Sequence, residues 1–152
     1  MNEPGNGESQ PKEETDLSGL RVLVVEDMPV LLRIYEKYLK TWGIVNSRFA
    51  SSPAEAEEIV KKLLQQGQAP NLVLTDFNMP GGNGLELLGE LREAIPNLRA
   101  IVSTSMPLDE LQTQNPKGLT FDYIDKGGLN MQMLKQKLGA AARDIRQPKA
   151  SQ

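Results

Sequence analysis

The feature that most constrains the fold of this chain is a regular alternation of short apolar runs with longer segments of helical periodicity. Each apolar run spans four to six residues and is bounded by polar or turn-forming residues, a pattern typical of strands buried inside a sheet. The runs cover residues 20–25, 45–50, 72–75, 100–103 and 121–124. Five successive strand–helix units predict an α/β fold, a doubly wound five-stranded parallel sheet with helices on both faces.

The segments between the runs carry the spacing and the end signals of helices. In residues 29–42 the large apolar side chains recur at intervals of three and four, at Leu31, Tyr35, Tyr38 and Trp42. Ser52, Pro53 and Glu55 form a helix start, with Ser as the N-cap and Pro at the first helical position. A short polar helix is expected over residues 108–114, and the last helix over residues 131–145.

One folded domain with a tail at each end accounts for the 152 residues. The first 16 residues contain five acidic residues, one lysine and no large apolar side chain after Met1, so they have little apolar surface to bury. We predict a disordered acidic tail over residues 1–18, a folded domain over residues 19–146 and a short C-terminal tail over residues 147–152.

Composition excludes several classes of protein. There is no cysteine, which excludes disulfides and thiol chemistry. No apolar run approaches the ~20 residues of a membrane span, and the N-terminus lacks the pattern of a signal peptide. We therefore expect a cytoplasmic protein without a membrane partner. The chain has a net charge of −3 and no basic stripe after its acidic tail, so we expect no nucleic-acid partner either.

Acidic residues directly follow two of the predicted strands. Asp76 comes after the run 72–75, and Glu26 and Asp27 come after the run 20–25. If these strands are parallel neighbours, three carboxylates meet at one edge of the sheet. A hard divalent cation with oxygen ligands would cancel their repulsion, and we expect Mg²⁺. A carboxylate beside such a cation can accept a phosphoryl group and form an acyl phosphate.

Polar residues also follow the fourth and fifth predicted strands. Thr104 and Ser105 come after the fourth run, and Lys126 comes shortly after the fifth. Taken singly, each residue has an ordinary explanation as a cap, a turn residue or a solvated side chain. Their placement at four strand ends favours one functional site, because ligands of open α/β sheets bind outside the carboxyl ends of the strands.

These residues and the segments around them resemble the receiver domain of two-component response regulators. The resemblance spans residues 19–145 and rests on ordered motifs, which are Val24-Val25-Glu26-Asp27, Thr75-Asp76-Phe77-Asn78-Met79-Pro80, Gly84, Thr104-Ser105 and Tyr123-Ile124-Asp125-Lys126. It implies a flavodoxin-like (βα)5 fold. Because the chain ends soon after the last helix, we expect a stand-alone, chemotaxis-regulator-like receiver that acts as a signalling domain rather than an enzyme.

The resemblance implies a chemical role for each residue at the strand ends. Asp76 is implied as the phosphoacceptor, with Thr104 and Lys126 binding the phosphoryl oxygens. The implied ligands of Mg²⁺ are Glu26, Asp27, Asp76 and the main-chain carbonyl of Asn78.

The resemblance also implies a switch and a control of signal lifetime. Thr104 would move toward the phosphoryl group, and Tyr123 would fill the space that it leaves. Asn78 and Met106 occupy positions that tune dephosphorylation in the family; Met106 cannot orient an attacking water. The chain departs from the family pattern after Lys126, where Gly127 stands in place of the usual proline.

The phosphoryl donor is expected to be another protein, because the chain contains no histidine. The resemblance implies a histidine kinase or a histidine phosphotransfer protein as donor, and a downstream protein as the target of the signal. We expect a monomer or a weak homodimer.

Two other functions remain open from the sequence. One is a receiver-like docking module that works without phosphorylation; retention of the site residues argues against it. The other is a Mg²⁺-dependent phosphohydrolase with an aspartate nucleophile, which would require a second aspartate where Asn78 stands.

Overall fold

The five predicted strands form one parallel sheet. A computed structural model of the protein describes residues 15–128 and 130–147. The strands are β1 (Val22–Val25), β2 (Ser47–Ala50), β3 (Leu72–Asp76), β4 (Arg99–Thr104) and β5 (Asp122–Asp125). Their order in the sheet is β2-β1-β3-β4-β5, and every pair is parallel. The predicted doubly wound α/β fold is confirmed, because this order is the flavodoxin-like one.

Helices cover both faces of the sheet. They are α1 (Pro29–Thr41), α2 (Pro53–Gln65), α3 (Gly84–Ala94), α4 (Leu108–Thr113) and α5 (Met131–Arg146). Residues of α1 and α5 share one buried cluster with the sheet, and residues of α2, α3 and α4 share the other. None of the helices in the described part of the chain is both long and apolar enough to cross a membrane.

The start of α3 is held tightly against the end of β3. Asn83 caps the helix by accepting a hydrogen bond from the Glu86 N–H at 2.8 Å, and the Glu86 side chain completes a capping box. Gly84 follows the cap, and a Cβ there would collide with the main-chain oxygen of Asp76. Only glycine allows this close approach, which fixes the loop that runs from Asp76 to α3.

Several predicted strand boundaries differ from the structure by one or two residues, as at the start of β2 and the end of β4. β2 begins at Ser47 rather than residue 45, and Val45 is 76% exposed. β4 extends through Thr104, so this threonine ends the strand instead of following it. Both differences arise because an apolar or β-branched residue shows strand preference without showing where sheet pairing stops.

Residues 15–18, the end of the predicted N-terminal tail, pack against the folded domain. Residues 1–14 and 148–152, most of both predicted tails, lie outside the described residues. Within the described part, Leu17 is buried in the cluster of α1 and α5. The Arg146 guanidinium donates to the main-chain oxygens of Asp16 and Ser18 at 3.2 and 2.9 Å. One apolar side chain and one arginine thus attach residues 15–18 to α5, and the domain boundary at residue 19 stays a prediction.

Candidate functional site

Three carboxylates meet at the carboxyl end of the sheet. β1 and β3 are neighbours, with Val25 opposite Thr75, so the residues that come next lie side by side. One carboxylate oxygen from each of Glu26, Asp27 and Asp76 lies within 4.8 Å of the other two. The sequence predicted this convergence from the positions of the acids directly after two apolar runs.

Lys126 bridges two of these carboxylates. It begins the short 3₁₀ turn Lys126–Gly128 after β5, and its Nζ lies 2.9 Å from Asp76 Oδ2. The same Nζ lies 3.0 Å from Glu26 Oε1 and 3.2 Å from Glu26 Oε2. Because β4 separates β3 from β5, the lysine side chain extends across the end of one strand to reach both acids.

A backbone amide also donates to each of the two buried acids. The Phe77 N–H donates to Asp76 Oδ1 at 2.7 Å, and the Met28 N–H donates to Glu26 Oε2 at 3.1 Å. Glu26 Oε1 is buried and accepts no hydrogen bond from the described residues, although it is in ion-pair contact with Lys126. A buried carboxylate oxygen with no hydrogen-bond donor is an available ligand for a cation.

Burial and charge act on the two partners of the ion pair in different ways. Burial raises the pKa of the Glu26 carboxyl, and the nearby Lys126 ammonium and the Met28 N–H offset only part of that rise. Burial alone would lower the pKa of Lys126, but its hydrogen bonds to Asp76 and Glu26 outweigh burial and raise it. Lys126 therefore stays charged, whereas Glu26 gains a proton more readily than a solvated glutamate.

The donor set fits Mg²⁺. Hard divalent cations prefer oxygen ligands, and Mg²⁺ is commonly held by one or two carboxylates with water completing its shell. Asp27 is half-buried, which leaves the cluster open to solvent on one side, and Glu26 offers its unbonded oxygen. Asn78 lies in a short antiparallel ribbon, opposite Asn83, with an exposed side chain. Its carbonyl as a further ligand stays a prediction.

The predicted switch residues lie on the next two strands of the sheet, Thr104 on β4 and Tyr123 on β5. Thr104 is 3% exposed, and its Oγ1 accepts a hydrogen bond from the Met106 N–H at 3.2 Å. The Tyr123 hydroxyl donates to the Met106 main-chain oxygen at 2.6 Å. The backbone of Met106 therefore connects Thr104 to Tyr123, which are the two residues that the resemblance links in a switch.

Sequence reasoning missed a pair of buried hydroxyl groups near this cluster. Tyr35 on α1 lies 3.3 Å from Ser103 Oγ on β4, and both residues are buried. Tyr35 was predicted only as part of an apolar helix face. The available signal was Ser103, a polar residue in a predicted apolar strand.

Comparison with known families agrees with this geometry. Residues 22–138 match the family described as the response regulator receiver domain. The chain belongs to this family. Receiver domains are signalling domains that work with histidine kinases or phosphotransfer proteins and typically bind Mg²⁺ at an acidic pocket. The structure contains an acidic cluster, formed by Glu26, Asp27 and Asp76.

Several curated proteins share sequence with this receiver. It is 28% identical over 108 residues to the chemotaxis protein CheY of Thermotoga maritima, which covers 71% of this chain and 86% of that protein. It is 32% identical over 110 residues to the sensor protein TorS of Escherichia coli, which covers 72% of this chain but 12% of TorS. Against the transcriptional regulatory protein AruR of Pseudomonas aeruginosa it is 39% identical over 72 residues, 47% of this chain and 29% of AruR. The receiver thus spans under a third of the length of AruR and TorS.

Solved structures show the same fold. The response regulator TrrA of Thermotoga maritima, solved with Mg²⁺-BeF, is 27% identical with a TM-score of 0.62, covering 80% of this chain and 98% of that one. A receiver domain protein from Clostridium thermocellum is 23% identical with a TM-score of 0.65, covering 82% of this chain and 95% of that one. The second likeness supports the fold alone.

Proposed function

We propose that Asp76 accepts a phosphoryl group from a phosphohistidine of a histidine kinase or histidine phosphotransfer protein, and that the acyl phosphate switches a surface that binds a downstream protein. The observation that carries this proposal is the meeting of Glu26, Asp27 and Asp76 within 4.8 Å, with the Lys126 ammonium between two of them. Such a cluster combines a carboxylate nucleophile with the positive charge that phosphoryl transfer requires.

The transfer step uses the residues in the following way. A carboxylate oxygen of Asp76 bonds to phosphorus while the phosphorus–nitrogen bond of the donor breaks, and its electron pair stays on the donor imidazole. The Phe77 N–H keeps the carboxylate oriented, and Lys126 neutralises charge on the transferred group. When bound by Glu26, Asp27, Asp76 and the Asn78 carbonyl, Mg²⁺ supplies further positive charge to the phosphoryl oxygens.

The switch step follows from the contacts of Thr104. Phosphorylation adds about −1.5 to −2 charges and three strong acceptor oxygens. The Thr104 hydroxyl can then donate to a phosphoryl oxygen at the expense of its contact with the Met106 N–H. Tyr123, bonded to the other side of the Met106 backbone, would change its packing with it. In this role the protein is a phosphoacceptor signalling domain that catalyses at most its own phosphorylation and dephosphorylation.

A small-molecule phosphodonor tests the proposal. Wild-type protein and Asp76→Asn are incubated with phosphoramidate and Mg²⁺, and the intact mass of each is measured. We expect one added phosphoryl group on the wild type and none on the variant. Equal phosphorylation of both proteins would refute Asp76 as acceptor.

The two alternative functions predict other outcomes of the same experiment. A docking module that works without phosphorylation would gain no mass and would bind its partner equally well before and after treatment. An aspartate-nucleophile phosphohydrolase would release phosphate with many turnovers; Asn78 in place of a second acid argues against it. The stand-alone arrangement, the cytoplasmic location and the monomeric or weakly dimeric state stay predictions.

A further inference from the structure

A buried pair of hydroxyl groups lies in the layer between α1 and the sheet. Tyr35 and Ser103 are each 1% exposed, and Tyr35 donates its hydroxyl hydrogen to Ser103 Oγ at 3.3 Å. The surrounding layer is apolar, built from α1, α5 and the sheet. A buried hydroxyl is costly without a partner, whereas Phe and Ala would fill the same positions without that requirement. The pair therefore indicates a role beyond packing.

The register of the sheet places Ser103 in the same row as the acidic cluster. Ser103 on β4 is paired with Asp76 on β3. Val25 on β1 is paired with Thr75 on β3, so Glu26, the next residue, lies opposite Asp76. Side chains alternate along a strand, so residues two positions apart share a face. The residues two positions earlier all belong to the cluster of α1 and α5, and they are Val24, Leu74 and Ile101. Ser103 thus lies beside Asp76 on the face that α1 covers.

The charged groups of the site affect the pKa of the Tyr35 hydroxyl. Burial raises the pKa of Tyr35, and the carboxylates of Glu26 and Asp76 raise it further, against the hydrogen bond with Ser103 and the charge of Lys126. Tyr35 therefore remains a hydrogen-bond donor, and its hydrogen bond restricts the orientation of the Ser103 side chain. Without that bond, Ser103 would be a buried hydroxyl whose row neighbour is the Asp76 carboxylate.

We propose that Tyr35, acting through Ser103, is a positioning residue of the phosphorylation site that sets how fast Asp76 gains its phosphoryl group. This proposal rests on the proposed role of Asp76. With the pair intact, Asp76 keeps the two donors seen in the structure, the Phe77 N–H and Lys126. With Tyr35 unable to donate, Ser103 turns toward the carboxylate and competes with Lys126, which makes Asp76 a weaker and less well oriented nucleophile.

The kinetic test compares Tyr35→Phe with Tyr38→Phe. Tyr38 lies on the same helix but is 38% exposed and contacts the Trp42 ring, so it is a matched control. The initial rate of phosphorylation by phosphoramidate with Mg²⁺ is measured by intact mass. We expect Tyr35→Phe to slow the rate by about five-fold, the effect of one buried hydrogen bond, because the freed Ser103 hydroxyl competes with Lys126. The double variant Tyr35→Phe/Ser103→Ala should be faster than Tyr35→Phe alone, because alanine has no hydroxyl to compete, and Tyr38→Phe should match the wild type.

A spectroscopic readout separates this proposal from the proposed function. The side-chain carbon resonances of the tyrosines are followed by NMR as Mg²⁺ alone is added. We expect the Tyr35 Cζ resonance to shift, the Tyr38 resonance to stay in place, and the Tyr35 shift to disappear in Ser103→Ala. If the wild type takes up no phosphoryl group, the proposed function fails, and the Mg²⁺-dependent shift of Tyr35 still tests the pair.

A wild-type phosphorylation rate in Tyr35→Phe would overturn the proposal, even if that variant were less stable, because the pair would then act on packing alone. An unmoved Tyr35 resonance would also overturn it, whether or not Mg²⁺ moves the amides of residues 26, 27 and 76.

Discussion

At the scale of single residues, Lys126 changes the electrostatic character of the site. The sequence predicts three carboxylates that repel one another. The structure places an ammonium between Glu26 and Asp76, so much of that repulsion is already cancelled without a metal. Asp27 has no hydrogen bond to its carboxylate within residues 15–128 and 130–147, and it is the acid with most to gain from a cation.

Loss of the lysine charge should therefore destabilise the metal-free protein. Lys126→Met keeps much of the side-chain length but leaves two buried carboxylates without their partner. We expect a loss of about 3 kcal/mol in the free energy of unfolding, the usual cost of breaking a buried ion pair. Chemical denaturation measures it, with the exposed Lys61→Met as control. Saturating Mg²⁺ should restore part of the loss; a variant as stable as the wild type would contradict the bridging role.

Asp27→Ala should affect metal binding far more than folding. Its carboxylate is half-buried, so we expect the stability of the metal-free protein to change by less than about 1 kcal/mol. Removal of one of three carboxylate ligands should weaken Mg²⁺ binding by roughly tenfold or more. Titration calorimetry gives the affinity, and thermal melts give the stability. Unchanged Mg²⁺ affinity would remove Asp27 from the site.

Metal affinity should also depend on pH through Glu26. The folded-state pKa of this carboxyl is raised above its ordinary 4.5, mainly by burial. Mg²⁺ needs the charged form, so affinity should be full at neutral pH and fall as the pH drops, beginning above 4.5. Calorimetry across this range in wild type and Glu26→Gln provides the comparison. The variant should bind more weakly and lack this early fall; identical pH profiles would contradict the role of Glu26.

At the scale of secondary-structure elements, the strand ends were the predictable part of the site. Acids directly after two apolar runs, a threonine after a third and a lysine after a fourth indicate one edge of one sheet, because parallel strands bring their carboxyl ends together. The hydroxyl pair of Tyr35 and Ser103 was not predictable in this way. It depends on which residue of α1 faces which row of the sheet, and helical periodicity alone does not determine that.

Helix α1 shows the same limit. Tyr38 belongs to the apolar spacing that predicted this helix, yet it is 38% exposed, while Leu39, outside that spacing, is buried. A spacing of three or four residues describes a broad face, and only packing against α5 and the sheet selects its centre.

The face formed by α4, β5 and α5 should carry the signal to a partner. The Tyr123 hydroxyl on β5 donates to the main-chain oxygen of Met106, two residues after Thr104. Leu108 on α4 and Met133 on α5 are large apolar side chains that are exposed. Amide NMR with and without beryllofluoride and Mg²⁺ should show shifts at residues 105–126. Loss of these shifts in Thr104→Ala, with those near Asp76 retained, would support the proposed route. Shifts confined to the loop after Asp76 would show that the signal leaves elsewhere.

At the scale of the whole molecule, sequence patterns predicted the fold class but not the packing of residues 15–18 against the domain. The five strand–helix units correspond to the observed sheet and its covering helices. The attachment of residues 15–18 was not visible in the sequence, because Ser18 and Arg146 lie far apart in the chain and form their hydrogen bond only in the folded protein. Composition measures how much apolar surface a segment carries, but one well-placed side chain is enough to attach a short segment.

The central claim is that Asp76 carries the phosphoryl group, and chemical trapping tests it most directly. Phosphorylated protein is treated with borohydride, which reduces an aspartyl phosphate to homoserine, and peptide mass spectrometry locates the change. We predict homoserine at position 76 only, dependent on Mg²⁺ and abolished in Asp76→Asn. Homoserine at Asp27 or at another acid, or no trapped product in a protein that has gained phosphoryl mass, would contradict the account.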